Sequence, residues 1–483
     1  MNTYFTKSKY LSGLQCLKRL WCEEKTPERA AEISTSQRRI LEQGREVGIK
    51  ALEYFHDGFQ VNAAVFEDAV KQTQELIEIG VPCIFEAAFT IENNRLRCDV
   101  LQKEPEGSWK LVEVKSSTKV KDEHLHDAAF QANVLSELGL PISTIELMHI
   151  NNDCVYPDLT NLFTQEEITS QVNLLVSDVP NNIVFFKSIL ELESEPDVRI
   201  GKHCDKPITC PFKDYCWQNV PDYSIFTIPR ISAEKVSDLV SNDIISIFDL
   251  PSNFDLNTNQ SGYVNCVLSG KADIDQKGIT ERLSEYEYPI HFLDFETFNP
   301  GVPRFDGLKP YQQFPFQFSC HVWNEAGTIT HFEYLHTENS DPRGPFVESM
   351  VDLIADEGSI VVYYAPFERM ILKSLSTFAP QYSLEIESMI GRLVDQMDIF
   401  KNHYKHPGFF GSNSLKKVLP VMVPKLSYDG LNVQGGGDAQ AIWEQMIVSF
   451  DENEKNRLAD DLKAYCKLDT LAMVEIHKGL LHL

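Results

Sequence analysis

The sequence predicts an α/β protein built from two successive domains. Three observations carry this. A helix-period stretch over residues 36–80 gives way to short strand-like runs; a cysteine-rich segment at 203–217 closes that region; and a new buried-looking strand, PIHFLDFET, opens another from Tyr288 onward. At 483 residues the chain is long enough for two or three domains. Its 43% apolar and 24% charged content is ordinary for a globular protein. No run approaches a membrane span, and MNTYFTKSKYLSGLQC has no apolar signal core, so the expectation is a cytoplasmic protein without a membrane partner. In that reducing compartment the eleven cysteines point to metal binding more than to disulfides.

Between 36 and 80, Ile40, Val47, Ala51 and Phe55 recur at helical spacing. The runs FEAAFTI, RLRCDVLQ and WKLVEVKSS then alternate as strands, and the turn-forming ENN and PEGS between them predict an antiparallel meander. A helix over 122–138, a strand near 144–150 and a further helical region lead to the cysteines. Residues 221–285 read as a helical connector, because SAEKVSDLVSNDIISIFDLP suggests two short helices and NFDLNTNQSG a loop. The predicted domains are therefore 1–220 and 286–483. The second continues with the strand SIVVYYA and ends on a long helix from about Asn456.

The formal charge of −27 excludes a protein that coats nucleic acid, but not an enzyme that gathers carboxylates around metal ions and touches phosphate locally. Lys18, Arg19, Arg38, Arg39, Arg45 and Lys50 form the one stretch nominated for backbone contacts. It reads equally well as a solvated helix face.

Three constellations carry chemistry. In the first, Asp99 ends one strand and EVK places Glu113 and Lys115 on one face of the next, since residues i and i+2 of a strand project together. Two carboxylates and an ammonium on one face suit metal-assisted phosphodiester hydrolysis. The arrangement resembles the PD-(D/E)XK fold in its RecB-like branch, where the strand motif is followed by a helix bearing glutamine. The resemblance implies that Gln131, in DAAFQANVL, contacts the site or the DNA, and Glu86 is a further contributor. Gly48 stands where that branch often has a histidine ligand, and Leu135 where it often has a tyrosine.

In the second, GKHCDKPITCPFKDYCW sets Cys204, Cys210 and Cys216 at even spacing, and a fourth ligand comes from Cys16, with Cys22 as the alternative. Thiolates suit zinc or iron–sulfur clusters, and zinc sites usually pair cysteines more closely. One distant N-terminal cysteine with three later ones resembles the iron–sulfur nucleases of the CRISPR-associated RecB-like and AddB types. That resemblance implies a [4Fe–4S] cluster clipping the domain ends together; Zn²⁺ is the alternative.

In the third, FLDFET puts Asp294 and Glu296 on one face of an apolar strand, and YCKLDTLAMV puts Tyr465 and Asp469 on one helix face. Bare carboxylates among apolar neighbours are costly unless a cation neutralises them. VVYYAPFERMIL places Glu368 at a helix start, and Asp395 in RLVDQMDIF is a further acid. Together these resemble the DnaQ-like, or DEDD, exonucleases on a ribonuclease-H-like fold, with Glu368 where aspartate is usual. The resemblance implies two Mg²⁺ or Mn²⁺ ions held by Asp294, Glu296, Glu368 and Asp469, with Tyr465 orienting water. The whole chain resembles a bacterial family that fuses a RecB-like nuclease to such a domain. A metal-dependent nuclease is expected, with DNA the substrate ahead of RNA. The alternatives are one live site beside a nucleic-acid-binding scaffold, an RNA-directed exonuclease, or an adaptor with both sites lapsed.

Overall fold

The computed structural model describes residues 4–354 and 356–483. The protein is mixed α/β, and its chain parts into two compact units: Met1–Asn219 with Pro300–Gln312, and Val220–Asn299 with Gln313–Leu483.

Among the described residues, seven strands form the sheet of the first unit. Its order is Gly58–Gln60, Cys83–Ile91, Asn94–Lys103, Trp109–Lys115, Ile142–Ile150 and Phe163–Glu167, with Phe5–Thr6 added in parallel against Asn94–Lys103. Cys83–Ile91, Asn94–Lys103 and Trp109–Lys115 form the antiparallel meander that the alternating runs predict. Trp109–Lys115 then pairs in parallel with Ile142–Ile150. A parallel pair needs a crossover, and the helix Asp122–Glu137 supplies it. Ala128, Ala129, Phe130, Val134 and Leu135 of that helix are fully buried, the alanines letting its backbone approach the sheet closely.

The helical stretch predicted over 36–80 is two helices, Thr35–Leu52 and Phe66–Ile79, with the short strand Gly58–Gln60 between them. Val47 and Ala51 are buried as their spacing predicts, whereas Ile40 is 61% exposed. The buried stripe of Thr35–Leu52 runs through Arg39, Val47 and Ala51 and misses Ile40 by one residue. Residues 300–312, expected within the second domain, pack in the first unit. There Val302 joins Val47 and Ile150, Arg304 pairs with Glu46 at 3.4 Å, and the Tyr311 hydroxyl donates to the Ser116 carbonyl.

The second unit has a five-stranded sheet in the order Ile329–Leu335, Phe314–Trp323, Ile290–Phe298, Ile360–Val362, Leu393–Asp395, again among the described residues. Phe314–Trp323 runs antiparallel to both of its neighbours, and the last two strands run parallel to the central Ile290–Phe298. That central strand is covered on both faces, which is why it reads as a continuous apolar run. Phe314–Trp323 was not anticipated, because Pro315 argues against a strand interior. The register shifts between Pro315 and Gln317, where the missing N–H does no harm. Helices Arg343–Leu353, Ala365–Phe378 and Ser383–Gly391 join Leu293, Phe295 and Phe318 of the sheet in one apolar cluster. The helix Glu452–Leu480 packs along the two central strands. The expected connector holds the helices Ala233–Ser241, Thr258–Ser269 and Gln276–Ser284. Its Ile225, Leu239, Ile247 and Val264 make an apolar cluster inside the second unit. Among the described residues, no helix is long and apolar enough to cross a membrane.

Candidate functional site

Functional side chains gather at three places, each within one unit. In the first unit, sheet register sets Asp99 on Asn94–Lys103 beside Glu113 on Trp109–Lys115, one position beyond the Val100–Val112 pair. The Asp99 Oδ2 accepts the Val114 N–H at 2.8 Å. The crossover helix adds Asp127 and Gln131, one turn apart and hence on one face. Gln131 Nε2 donates to Glu113 Oε2 at 2.6 Å and to Asp127 Oδ1 at 3.0 Å. Lys115 Nζ lies 2.6 Å from both Glu113 Oε1 and Asp127 Oδ2. A second ammonium, Lys7 Nζ, reaches Glu113 Oε1 at 3.0 Å and Asp127 Oδ1 at 3.9 Å. Sequence reasoning missed Asp127 and Lys7. The first carried a signal, its i, i+4 spacing to Gln131; the second carried none.

Burial would raise the Glu113 carboxyl, but Lys115, Lys7 and the Gln131 amide hold it well below the usual carboxylate range. Asp99 is pushed up to about 7, by burial first and by the Glu113 charge second. Asp127 is raised by the same two causes. Three carboxylates and two ammoniums thus share one mostly buried face. Glu86 stands opposite Asp99 in register, at φ +55°, a left-handed conformation uncommon for a residue with a side chain. A Cβ added at Gly48 would meet nothing within 4 Å, so that position is open rather than filled.

In the same unit, Cys16, Cys204, Cys210 and Cys216 line one small pocket with Lys18, Arg19, Arg199, His203 and Lys213. Cys16 separates the helices Lys7–Gln15 and Leu17–Lys25, Cys204 ends the turn Lys202–Cys204, and Cys216 sits on the short helix Lys213–Trp217. The Cys210 N–H closes the loop onto the Cys204 carbonyl at 2.8 Å. His203 bonds to the sulfurs of Cys16 and Cys204, which raises it to about 10, so it is cationic at neutral pH. Burial works against the Cys204 thiolate, but bonds from His203 and the Gly201 backbone outweigh it and lower that thiol. Burial pushes Cys216 up to about 11. Cys22 does not line that pocket; it is buried behind it, in an apolar cluster with Trp21, Ile189, Phe212 and Cys210 itself.

In the second unit, Asp294 and Glu296 project from the central strand toward Cys466, one ligand atom of each lying within 4.8 Å of the others. Glu368 enters from the first turn of Ala365–Phe378, and Tyr465 and Asp469 from Glu452–Leu480. Asp294 is raised well above the usual carboxyl range, by burial first and then by Asp469, Glu296 and Glu368. Glu296 is raised by burial and Asp469, with Lys416 opposing. Burial pushes Glu368 up to about 8, and among the described residues its Oε2 has no hydrogen-bond partner. Asp469 rises to about 6 through burial, restrained by hydrogen bonds from Tyr428 and Tyr465 and by the Lys416 charge.

Sequence reasoning also missed Tyr428 and Gly436, and it singled out SLKKVLP without giving its Lys416 a role. The Tyr428 hydroxyl donates to Asp469 Oδ1 at 2.5 Å. Lys416 Nζ stands 5.2 Å from the ring centroids of both Tyr428 and Tyr465. A Cβ on Gly436 would lie 3.7 Å from Glu296 Oε2, so the glycine-rich start of the helix Gly436–Val448 runs against that carboxylate. Asp395, nominated as a further acid, has a different task. It accepts the backbone N–H groups of Tyr364 and Met397 at 3.0 Å each and pairs with Lys401 at 3.6 Å. It thereby holds Tyr364 at φ +92° and fixes where the Glu368 helix starts.

Comparison with known proteins bears mainly on part of the chain. Residues 291–414 match a family model described as a domain of unknown function, DUF2779. That span includes Asp294, Glu296 and Glu368. An uncharacterized protein, the MG366 homolog of Mycoplasma pneumoniae, is 29% identical over 222 residues, 41% of this chain and 33% of its own length. The uncharacterized protein MG366 of Mycoplasma genitalium is 26% identical over 207 residues, 38% of this chain and 31% of its own. The chain aligns with about a third of each relative.

Proposed function

We propose that the protein is a metal-dependent nuclease that hydrolyses phosphodiester bonds, of DNA ahead of RNA. In this reading a RecB-like PD-(D/E)XK site occupies the first unit and a ribonuclease-H-like DEDD site with 3′–5′ polarity the second. The observation that carries it is the group Asp294, Glu296, Glu368 and Asp469. Four carboxylates share a buried site in which Lys416 offsets the charge of Glu296 and Asp469 but does not act on Asp294. Such a group is costly unless cations enter, and the orphaned Glu368 Oε2 offers one of them a lone pair. The residues fit divalent ions. Two such ions would supply an activated water and stabilisation of the leaving oxygen.

The chain's own groups do the rest. Tyr428 and Tyr465 are raised far above the ordinary phenol value by burial and by Asp469, so both stay neutral hydrogen-bond donors. Tyr428 holds the Asp469 carboxylate by the shorter tie, and Tyr465, which also bonds to Asp469 and lies near Glu296, is the residue that would orient water. Lys416, held over both rings, balances part of the anionic charge and suits a phosphate oxygen. In the first unit Asp99 and Glu113 are the ligand pair, Lys115 steadies charge developing on the phosphate, and Gln131 sets the Glu113 rotamer.

The four thiols fit a metal centre as well. The surrounding Lys18, Arg19, His203 and Lys213 suit the net negative charge of a thiolate cluster. Zinc bonds sulfur at about 2.3 Å, which needs sulfurs about 3.8 Å apart. Among the described residues no three of these sulfurs come within 4.8 Å of one another. The five-residue gaps between Cys204, Cys210 and Cys216, longer than the close cysteine pairs usual for zinc, favour [4Fe–4S] over Zn²⁺.

The test uses end-labelled single- and double-stranded DNA and RNA with Mg²⁺ or Mn²⁺. Asp294→Ala should remove trimming from the 3′ end by about a thousandfold, the scale of losing a central charge-stabilising group. Unchanged divalent-ion binding by Asp294→Ala/Asp469→Ala in calorimetry rules out the second site. In the Asp294→Ala background, Glu113→Ala should abolish whatever metal-dependent cutting remains. Cutting that survives Glu113→Ala/Lys115→Ala removes the first site from the reading.

A further inference from the structure

We propose that Lys7 is a catalytic residue of the first site, an ammonium that binds the scissile phosphate of the nucleic-acid substrate. The proposal rests on the nuclease reading of Asp99 and Glu113, and it adds a group that lies 92 residues before Asp99 in sequence.

Lys7 is the first residue of the helix Lys7–Gln15, capped by Thr6, whose side chain accepts the Lys9 N–H. A helix N-terminus carries partial positive charge and favours anions, so a lysine there is placed against the dipole. Glu113 and Asp127 offset that cost through contacts of 3.0 and 3.9 Å. The seat is built rather than chanced upon. Just before the helix, Phe5 and Thr6 pair with Asn94 and Arg95, on the strand that carries Asp99. Within the helix, Tyr10 is buried against Phe130 and Phe186, and Phe130 adjoins Gln131. A Cβ on Gly13 would come within 2.8 Å of the Phe186 ring, so glycine is what lets the helix settle this close. After the helix, Cys16 is fixed in the thiol pocket. Sheet pairing at one end and the thiol pocket at the other thus aim one side chain at the carboxylates.

The two ammoniums are not equivalent. Lys115 is held at 2.6 Å by Asp127 as well as by Glu113, so it keeps a partner when Glu113 turns to a divalent ion. Lys7 then keeps, among the described residues, the longer 3.9 Å contact to Asp127, while the two side chains are about equally exposed, at 27% and 25%. Lys7 is therefore the less tightly held cation, and the one able to exchange a carboxylate for a phosphate oxygen.

The experiment works in the whole 483-residue chain carrying Asp294→Ala, so that cutting reports the first site alone. It measures kcat and KM on labelled DNA with Mn²⁺, and the melting temperature, for Lys7→Ala, Lys7→Gln and Lys7→Arg, with Glu113→Ala alongside. Lys7→Gln should lower kcat by about a hundredfold, with a melting temperature near that of its background, and Lys7→Arg should recover to within about tenfold of it. Lys7→Ala or Lys7→Gln cutting within about twofold of the background while Glu113→Ala is inactive overturns the proposal and leaves the nuclease reading standing. A fall in kcat matched by lost melting temperature, and not recovered by arginine, also overturns it, since that marks a structural ion pair. If Glu113→Ala cuts as its background does, the underlying reading fails instead.

Discussion

Cys210→Ser is expected to cost the first unit its fold rather than its chemistry. A thiol-held centre that joins residue 16 to the 204–216 segment removes much of the unfolded chain's freedom. Structural metal sites contribute on the order of 10 kcal/mol or more of folding free energy, as much as the whole stability of a typical domain. The variant should therefore be recovered largely insoluble, or soluble with the first unit's melting transition gone. The parent, purified without oxygen, should be brown and hold iron and sulfide in equal amounts. Cys22→Ala is the control, because Cys22 packs beside Cys210 without lining the thiol pocket, and its loss should leave the iron in place. Stoichiometric zinc without iron removes the cluster assignment. A well-folded Cys210→Ser protein with full metal content removes Cys210 from the ligand set.

What could be read from the sequence was whatever local geometry decides. Glu113 with Lys115 and Asp294 with Glu296 share a face because strand side chains alternate, whatever surrounds them. Tyr465 and Asp469 share a face because a helix brings i and i+4 together. The even spacing of Cys204, Cys210 and Cys216 survives folding as one pocket, and Cys16 joins it. Partners supplied by remote segments were not legible. Lys7 reaches Glu113 across 106 residues, and Tyr428 reaches Asp469 across 41. No pattern in FTKSKY or KLSYDG announces either contact. Asp395 shows the converse: its backbone-anchoring bonds to Tyr364 and Met397 depend on which N–H groups face it, and the sequence does not show that. Residues 300–312 were assigned by chain order, whereas Tyr311, Arg304 and Val302 bond and pack in the first unit.

Stripped of divalent ions, the second unit is expected to lose stability as pH rises, against the usual behaviour of carboxylates held in ion pairs. An unfolded carboxyl titrates near 4. In the folded unit Asp469 titrates at about 6 and Glu368 at about 8, with Asp294 and Glu296 raised well above their ordinary values. Between about pH 4 and 8 the folded state thus binds more protons than the unfolded one, and stability must fall with increasing pH over that window. The contribution is fully present below the unfolded value and is lost as pH climbs through the folded ones. A divalent ion replaces those protons, so its affinity rises with pH and its binding releases protons to the buffer. The gap in melting temperature between protein with Mn²⁺ and protein with chelator should widen from pH 5 to pH 8. Mn²⁺ should outperform Mg²⁺ in this test, because Glu368 carries one methylene more than the expected aspartate and Mg²⁺ demands near-ideal octahedral geometry. Glu368→Gln/Asp469→Asn removes two of the raised groups, and it should flatten the fall in chelator while cutting the gain from Mn²⁺. A melting temperature in chelator that rises through this window, equally in parent and variant, would show that these carboxylates do not form the uncompensated cluster that metal ions must neutralise.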